Sequence, residues 1–148
     1  MKDLFNDEVV DIRANAYNVL INIAEYTFGI DAIINFNIIP VLVEKLVNER
    51  NETILILILS LLKILMEGEL APMVIQSLDV IPRLNKHLKS EDFRIRELAA
   101  ANLGSISYNS IGKELCIEAN SIPPLCEMLT DKISNVRTAA TRSLVSLS

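Results

Sequence analysis

The sequence predicts an all-α solenoid, a right-handed superhelix of about three and a half repeats with three helices in each. Three segments share an Ile-Pro-x-Leu pattern, and their prolines Pro40, Pro82 and Pro123 are separated by 42 and then 41 residues. The chain has only four glycines and five prolines among 148 residues, whereas 51% of its residues are hydrophobic. A constant period in the low forties, together with an apolar composition poor in loop-forming residues, is typical of stacked helical repeats.

A second set of residues repeats in the same register and marks the longest helix of each unit. Its leucines are spaced by 42, 41 and 41 residues, and they are Leu20, Leu62, Leu103 and Leu144. The first long helix is predicted over about Glu8–Tyr26, and its apolar face comprises Ile12, Ala16, Leu20 and Ile23. Its counterparts are expected to begin near the polar residues Asn51, Asp92 and Ser134, which suit helix N-caps. Further upstream, Arg13, Arg96 and Arg137 share one position, where the second unit has Leu55.

Two shorter helices are predicted between successive long ones. The first is a short helix such as Ala32–Phe36, and the second is a middle helix that opens at the Ile-Pro pair. Three residues before the prolines lie Asn37, Asp79 and Asn120, residue types that tolerate the left-handed backbone conformation of a sharp turn. We therefore predict three copies of one tight corner.

These signals divide residues 1–148 into one domain of four units. The predicted units are 1–27, which is partial, then 28–69, 70–110 and 111–148. The chain opens on a long helix and stops where the last long helix ends, and neither end shows the polar capping that a free solenoid needs. We therefore expect a fragment of a longer solenoid.

Charge and hydropathy exclude two classes of partner. The formal net charge is −5 and the basic residues are scattered, whereas nucleic acids and anionic membranes both require clustered Lys and Arg. The most hydrophobic run, Ile54–Met66, is shorter than the roughly 20 residues that cross a bilayer, and it contains Lys63. We expect no nucleic acid and no membrane as partner.

No pattern of residues indicates chemistry. The glycines do not cluster into a phosphate loop, and the single histidine, His87, has no second ligand near it in sequence. We expect His87 to be exposed, and Cys116 and Cys126 to be small buried side chains in a reducing compartment. The sequence therefore predicts no cofactor, no metal and no catalytic residue.

The three-helix unit resembles the armadillo repeat. The resemblance extends over the whole chain and is best in the last unit, GKELCIEANSIPPLCEMLTDKISNVRTAATRSLVSLS. The HEAT repeat, with two helices per unit, is the structural alternative. Resemblance to armadillo proteins implies a non-catalytic scaffold that holds a partner protein.

The importin-type armadillo proteins carry a Trp and, four residues later, an Asn on each long helix. At the Trp position this chain has Asn18, Ser60, Ala101 and Arg142, and at the Asn position it has Asn22, Ile64, Ser105 and Ser146. Because the Trp is absent and one Asn remains, binding of basic nuclear-signal peptides is not expected.

Within the armadillo proteins, the segments DIRANAYNVLINIAEYTFG and GKELCIEANSIPPL resemble the armadillo-repeat component of radial spokes in motile cilia. This resemblance implies a structural subunit of a large axonemal assembly, located in the cytoplasm or the ciliary axoneme. Two alternatives stay open. One is a general cytoplasmic armadillo adaptor of catenin or importin type, and the other is the binding domain of a larger enzyme such as a ubiquitin ligase.

The long helices of a solenoid line its concave surface, where partners usually bind. At matched register, the predicted groove consists of Asn15, Asn18, Asn22, Leu57, Ser60, Ile64, Leu98, Ala101, Ser105 and Arg142. The expected partner is an apolar helix or an extended segment anchored by Leu57, Ile64 and Leu98. The alternative is that these apolar side chains pack against neighbouring helices.

Overall fold

The computed structural model describes residues 2–68, 75 and 79–148. Over these residues the chain has nine α-helices and no strand. The helices are α1 (Val10–Ile23), α2 (Thr27–Asn35), α3 (Ile39–Asn48), α4 (Glu52–Met66), α5 (Val80–His87), α6 (Phe93–Ile106), α7 (Ser110–Glu118), α8 (Ile122–Glu127) and α9 (Ser134–Leu147). Two 3-10 helices, Lys2–Asn6 and Met128–Thr130, precede α1 and follow α8.

The four long helices stand side by side in chain order. Helix α1 packs against α4, α4 against α6, and α6 against α9. Each middle helix, α3, α5 or α8, packs against the long helix that follows it, and the short helices α2 and α7 pack against the long helices that precede them. This arrangement confirms the predicted all-α armadillo-type solenoid. The boundary predicted at residues 69 and 70 lies outside the described residues.

The core is a continuous aliphatic layer, and α4 lies at its centre. Eight of the fifteen residues of α4 are buried, because this helix has a long helix on either side and α3 behind it. Burial of one such Leu or Ile contributes about 1.5–3 kcal/mol. The N-terminal end differs, because Phe5 and Tyr17 are buried there with their rings stacked 4.7 Å apart.

The predicted face of α1 is buried only in part. Ala16 and Leu20 are buried as expected, but Ile12 and Ile23 are each more than a third exposed. In the later units this side of the long helix packs against the long helix of the preceding unit, and α1 has no such helix before it in the described chain.

Two of the three predicted N-caps are confirmed. Asn51 Oδ1 accepts a hydrogen bond from Ile54 N at 3.1 Å, and Asp92 Oδ1 accepts one from Arg94 N at 2.8 Å. The last long helix begins at Ser134 as predicted, but Ser134 is its first helical residue and Ile133 is the N-cap. A carboxylate upstream replaces the cap, since Asp131 Oδ1 accepts from Ile133 N at 2.9 Å.

The left-handed corner occurs in two of the three predicted places. Asn37 has φ 55° and Asn120 has φ 58°. Asp79 instead has φ −76° and ψ 49°, so the prediction is wrong there. The physical reason is the start of the next helix: Asp79 is itself the N-cap of α5, whereas one residue separates each Asn from α3 or α8.

The first short helix is longer than predicted and begins sooner. Helix α2 begins at Thr27, close behind the end of α1 at Ile23, whereas the sequence predicted a long helix to Tyr26 and a short helix from residue 32. Glycine permits this close junction. A Cβ on Gly29 would lie 1.9 Å from Ile23 O, and a Cβ on Gly112 would lie 1.9 Å from Ile106 O at the junction of α6 with α7. Both distances are far below van der Waals contact, so no side chain fits at either position.

The repeated arginine braces successive units. In the third unit, Arg96 Nη1 donates to Ser90 O at 2.8 Å and to Glu91 O at 2.9 Å, which ties the helix to its own entry loop. Its Nε and Nη2 donate to the two carboxylate oxygens of Asp131, in the entry loop of the next long helix, at 2.9 and 3.2 Å. Bidentate pairing of this kind fixes geometry as well as adding energy.

The first unit carries the same brace, and the second unit lacks it. Arg13 Nη1 donates to Asp7 O at 2.8 Å, and its Nη2 donates to Glu49 Oε1 at 3.3 Å. At the equivalent positions between the second and third units stand Leu55 and Ser90, so both the cation and the carboxylate are replaced together.

Two buried polar side chains also cross between long helices. Asn102 Nδ2 on α6 donates to Leu59 O on α4 at 2.9 Å. Ser143 on α9 occupies the equivalent position and its hydroxyl donates to Ala100 O on α6. Because both side chains are buried, these bonds fix the register of one helix against the next.

Two expectations about single residues are corrected. Cys116 is buried as predicted, but Cys126 is exposed, and both are free thiols. His87 is half-buried, and its Nε2 lies 2.6 Å from Leu46 O, which joins α5 to α3. Since a carbonyl oxygen only accepts, Nε2 carries the proton in this contact. None of the described helices is long and apolar enough to cross a membrane.

Candidate protein-binding groove

A groove of about 910 Å³ crosses one side of the row of long helices. It lies between the C-terminal end of α4, the middle of α6 and the length of α9. Its apolar lining consists of Met66, Leu98, Ala101 and Ala139, and small residues such as Gly104 keep it open. A volume of this size is within the range of ligand-binding clefts in proteins.

Both signs of charge occur at the edges of the groove. Lys63 and Arg142 supply cations, and Glu67 and Glu97 supply carboxylates. Lys63 Nζ lies 2.8 Å from Glu67 Oε1, an exposed pair one helical turn apart on α4. The lining has equal numbers of positive and negative side chains, so it presents no strong field of either sign.

The structure brings four of the predicted site residues together in this groove. Leu98, Ala101 and Ser105 line it from α6, and Arg142 lines it from α9. Their positions follow from the helical spacing of three and four residues, which places 98, 101 and 105 on one face of α6. Leu98 is also partly buried against the core.

The predicted residues of α4 lie deeper than expected. Leu57 and Ile64 are partly buried and pack against the core, as the alternative interpretation of the sequence proposed for them. Ser60 is also half-buried, and its hydroxyl donates to Ile56 O within the same helix at 2.7 Å. None of these three residues is among those that line the groove.

The predicted residues of α1 lie outside the groove. Asn15, Asn18 and Asn22 are all exposed on one face of the first long helix. These three asparagines occupy the positions of the repeat that line the groove in α6 and α9, so the surface that contains the groove continues toward them.

Sequence reasoning missed several residues of the groove. Lys63 lies in the last turn of α4 and Glu67 follows that helix. Glu97 directly precedes the predicted lining residue Leu98, and Tyr108, which follows α6, is 90% exposed. The pairing of Lys63 with Glu67 was detectable as an i, i+4 spacing on a helix. The contribution of Tyr108 depends on where α6 ends, which the sequence does not fix to the residue. Among the described residues, no group of three or more His, Cys, Asp and Glu side chains could hold a metal ion.

Comparisons with known proteins agree with this architecture. The family profile of the HEAT repeat matches residues 122–148, which contain α8 and α9. No curated protein sequence matches the chain. An engineered protein solved by a structural genomics consortium is similar over 99% of this chain and 60% of its own, with a TM-score of 0.91 and 23% identity.

Designed armadillo repeat proteins are also similar. One of them, solved in complex with the peptide (KR)4, matches 99% of this chain with a TM-score of 0.90 and 18% identity, and 62% of its length is covered. A set of computationally designed armadillo repeat proteins for modular peptide recognition matches 97% of this chain with a TM-score of 0.87 and 20% identity, and 61% of its length is covered. The chain therefore spans about three fifths of the length of these structures. The likeness shows that this chain has the fold of the armadillo-type repeat proteins.

Proposed function

We propose that this protein is a non-catalytic scaffold that binds an apolar segment of a partner protein in the groove between α4, α6 and α9. The observation that carries the proposal is the composition of the groove. An apolar lining formed by side chains from three successive long helices lies between edges that carry charges of both signs. An extended or helical segment with Leu, Ile or Met side chains suits such a lining, because burial of each apolar side chain contributes about 1.5–3 kcal/mol.

The charges of the groove argue against a strongly charged partner. Lys63 and Arg142 offset Glu67 and Glu97, so a run of like charges on a ligand would meet as much repulsion as attraction. The designed armadillo repeat protein solved in complex with the peptide (KR)4 supports the general mode of binding, in which a protein of this fold binds a peptide. For this chain we propose the same mode of binding, but not a basic ligand.

A random peptide library displayed on phage tests the proposal directly. We expect selection on the wild-type chain to enrich peptides rich in Leu, Ile and Met. Ala101→Glu places a carboxylate on the lining of the groove and should weaken these peptides at least tenfold, which corresponds to about 1.4 kcal/mol. Ala101 is a better site than Leu57 or Ile64, since those side chains pack against the core and their substitution would test folding instead.

Lys86→Glu supplies the matched control, because Lys86 is exposed on α5 and is not a lining residue. The control should keep the wild-type affinity for every enriched peptide. Failure of the library to enrich any sequence would contradict the proposal. Equal loss of affinity in both variants would also contradict it, because binding would then lie outside the groove.

At a finer level, we propose that the scaffold is a structural radial-spoke subunit of the ciliary axoneme. The support is the sequence resemblance of the segments around α1 and α7 to the armadillo-repeat component of radial spokes. Retention of the tagged full-length protein on axonemes of multiciliated cells after detergent extraction would support this role. A diffuse signal lost on extraction would contradict it, and the general adaptor or the binding domain of a larger enzyme would then be pursued.

A further inference from the structure

Two of the charged side chains that line the groove are already paired, and two are not. Lys63 Nζ lies 2.8 Å from Glu67 Oε1, and Ser105 Oγ donates to the same oxygen at 3.5 Å. Glu97 and Arg142 line the same groove, and neither forms an ion pair within the described residues. The groove therefore presents one unpaired anion and one unpaired cation to the segment that it binds.

Both unpaired charges are open to a ligand. Glu97 is half-buried on α6, which has α4 on one side and α9 on the other. Arg142 is exposed on α9, and its equivalent one repeat earlier is Ala101. Ala101 lines the groove although α9 packs beside α6, so this position of the repeat stays open when another long helix follows.

The geometry of the repeat sets the separation of the two charges. The residue of α9 equivalent to Glu97 is Thr138, and Arg142 lies one helical turn, about 6 Å, farther along α9. Since neighbouring helices lie about 8–10 Å apart, the Cα atoms of Glu97 and Arg142 are separated by about 10–12 Å. An extended chain rises about 3.3 Å per residue, so it covers this separation in about three or four residues.

A purely apolar ligand would fit the lining but not the charges. Leu98, Ala101 and Ala139 offer apolar contact near both charged side chains. A ligand that covered this lining with apolar side chains alone would take Glu97 and Arg142 partly out of water without a counter-charge, which is unfavourable. A ligand with an acid at Arg142 and a base at Glu97 avoids that penalty and gains two charge-assisted hydrogen bonds.

We propose that the groove selects a segment with one acidic and one basic residue, three or four positions apart, and with apolar side chains between them. The acidic residue pairs with the Arg142 guanidinium, and the basic residue pairs with the Glu97 carboxylate. This inference rests on the proposed function and adds the chemistry by which the groove distinguishes one apolar segment from another.

The peptides enriched by phage display give the first test. We expect most of them to contain one acidic and one basic residue at this spacing. Selection on Arg142→Glu should replace the acidic residue by Lys or Arg, because the charge that it meets is reversed. Selection on Lys86→Glu, the same charge change on α5 outside the groove, should return the wild-type pattern. Enrichment of apolar peptides without the two charges would overturn this inference and leave the proposed function standing.

A double-mutant cycle between protein and peptide measures each ion pair directly. In one enriched peptide, replacement of the acidic residue by its amide should weaken binding to the wild type about fivefold, and binding to Arg142→Gln by less than about twofold. Arg142→Lys keeps the positive charge and should keep most of the difference. Glu97→Gln tests the basic residue of the peptide in the same way. Arg142 is exposed, so its variants should keep the helical circular dichroism signal of the wild type.

The salt dependence separates the charges from the apolar contacts. The fivefold difference should shrink at about 1 M salt, where ions screen charges within about 3 Å, whereas the apolar contribution to binding should remain. Equal binding of the acidic and amide peptides to the wild type would overturn the inference. The same conclusion would follow if the acidic residue contributed as much in Arg142→Gln as in the wild type. Failure of every peptide to bind would overturn the proposed function together with this inference.

Discussion

Replacement of Arg96 by leucine should destabilise the protein by about 2–4 kcal/mol. The change removes two hydrogen bonds to the carbonyls of Ser90 and Glu91 and a bidentate pair with Asp131. Leucine is the informative replacement, because Leu55 occupies the same position in the second unit and is buried there. Because the repeat already accommodates leucine at this position, the measured loss of stability reports the missing polar interactions and not a new cavity.

The size of the expected destabilisation follows from how deeply Arg96 and Asp131 are buried. The side chains of Arg96 and Asp131 are 17% and 12% exposed. Fully exposed pairs contribute about 0.2–1 kcal/mol, and removal of one partner from a buried pair costs about 3–5 kcal/mol. A mostly buried bidentate pair lies between these limits, so we expect a coupling energy of about 1–2 kcal/mol between the two side chains. The remainder of the effect comes from the two carbonyl bonds.

A double-mutant cycle measured by urea denaturation isolates that coupling. The second change is Asp131→Ser, which should preserve the turn, since Ser90 Oγ already accepts from Asp92 N at 3.3 Å in the equivalent loop. The double variant reproduces the Leu and Ser combination of the second unit. It should be less destabilised than the sum of the single variants by the coupling energy. Arg94→Leu is the matched control, because Arg94 lies two residues away and its side chain, which pairs with Asp92, is 55% exposed, so its replacement should have the smaller effect.

The same variant should change the response to acid. The Arg96 guanidinium, followed by the hydrogen bond from Ile133 N, holds the pKa of Asp131 below its usual value. A carboxyl group whose pKa is lowered in the folded state contributes stability at pH values above its unfolded pKa of about 3.9, and that contribution is lost as pH falls through the folded pKa. Arg96→Leu should therefore lose less stability than wild type when the pH falls below about 4. The reasoning is refuted if the coupling lies within the roughly 0.5 kcal/mol error of additivity, or if the acid response is unchanged.

Three further predictions follow from single contacts. In urea denaturation, Gly112→Ala should destabilise the chain by about 1–3 kcal/mol, because the new methyl group would overlap the carbonyl of Ile106. Glu114→Ala, a change at an exposed position, should leave stability within about 0.5 kcal/mol of wild type. A thiol reagent should modify the exposed Cys126 at once in the folded protein and Cys116 only after unfolding, since Cys116 is buried and burial raises the pKa of its thiol. Rapid reaction of both cysteines would contradict this prediction and show that the last unit opens readily. Asn102→Ala should cost about 1–3 kcal/mol of unfolding free energy through loss of its bonds to α4 and α6, and an unchanged denaturation midpoint would contradict that role.

The repeat and its helices could be predicted from the sequence because their signals are local. The Ile-Pro pairs fix the middle helices, and Asn51 and Asp92 cap the long helices where polar residues precede apolar ones. The corner at Asp79 was mispredicted because its backbone depends on where α5 begins, and a shift of one residue converts a turn residue into an N-cap. Likewise, the early start of α2 rests on the close approach of Gly29 to Ile23 O, a contact that has no sequence pattern of its own.

The site could be predicted only in part, because a helical register does not state how deeply each face is covered. Of the predicted positions on α6 and α9, Leu98, Ala101 and Arg142 line the groove, and their part in binding stays a prediction. The same register on α4 gave Leu57 and Ile64, which pack against the core and do not line the groove. The arginine brace was also hidden, because its acidic partner is a Glu in one unit and an Asp in another.

The missing brace between the second and third units has a mechanical consequence. Hydrogen bonds between charged groups are directional and resist rotation of one unit against the next, whereas apolar contacts are non-directional and permit it. The middle joint has Leu55 where the other joints have arginine, and the polar bonds across it include those from Asn102 to Leu59 O, from His87 to Leu46 O and from Arg83 to Val43 O. Because it lacks the bidentate ion pair, we expect this joint to resist rotation less than the other two joints. Since α4 and α6 are two walls of the groove, rotation at this joint would open or narrow the groove.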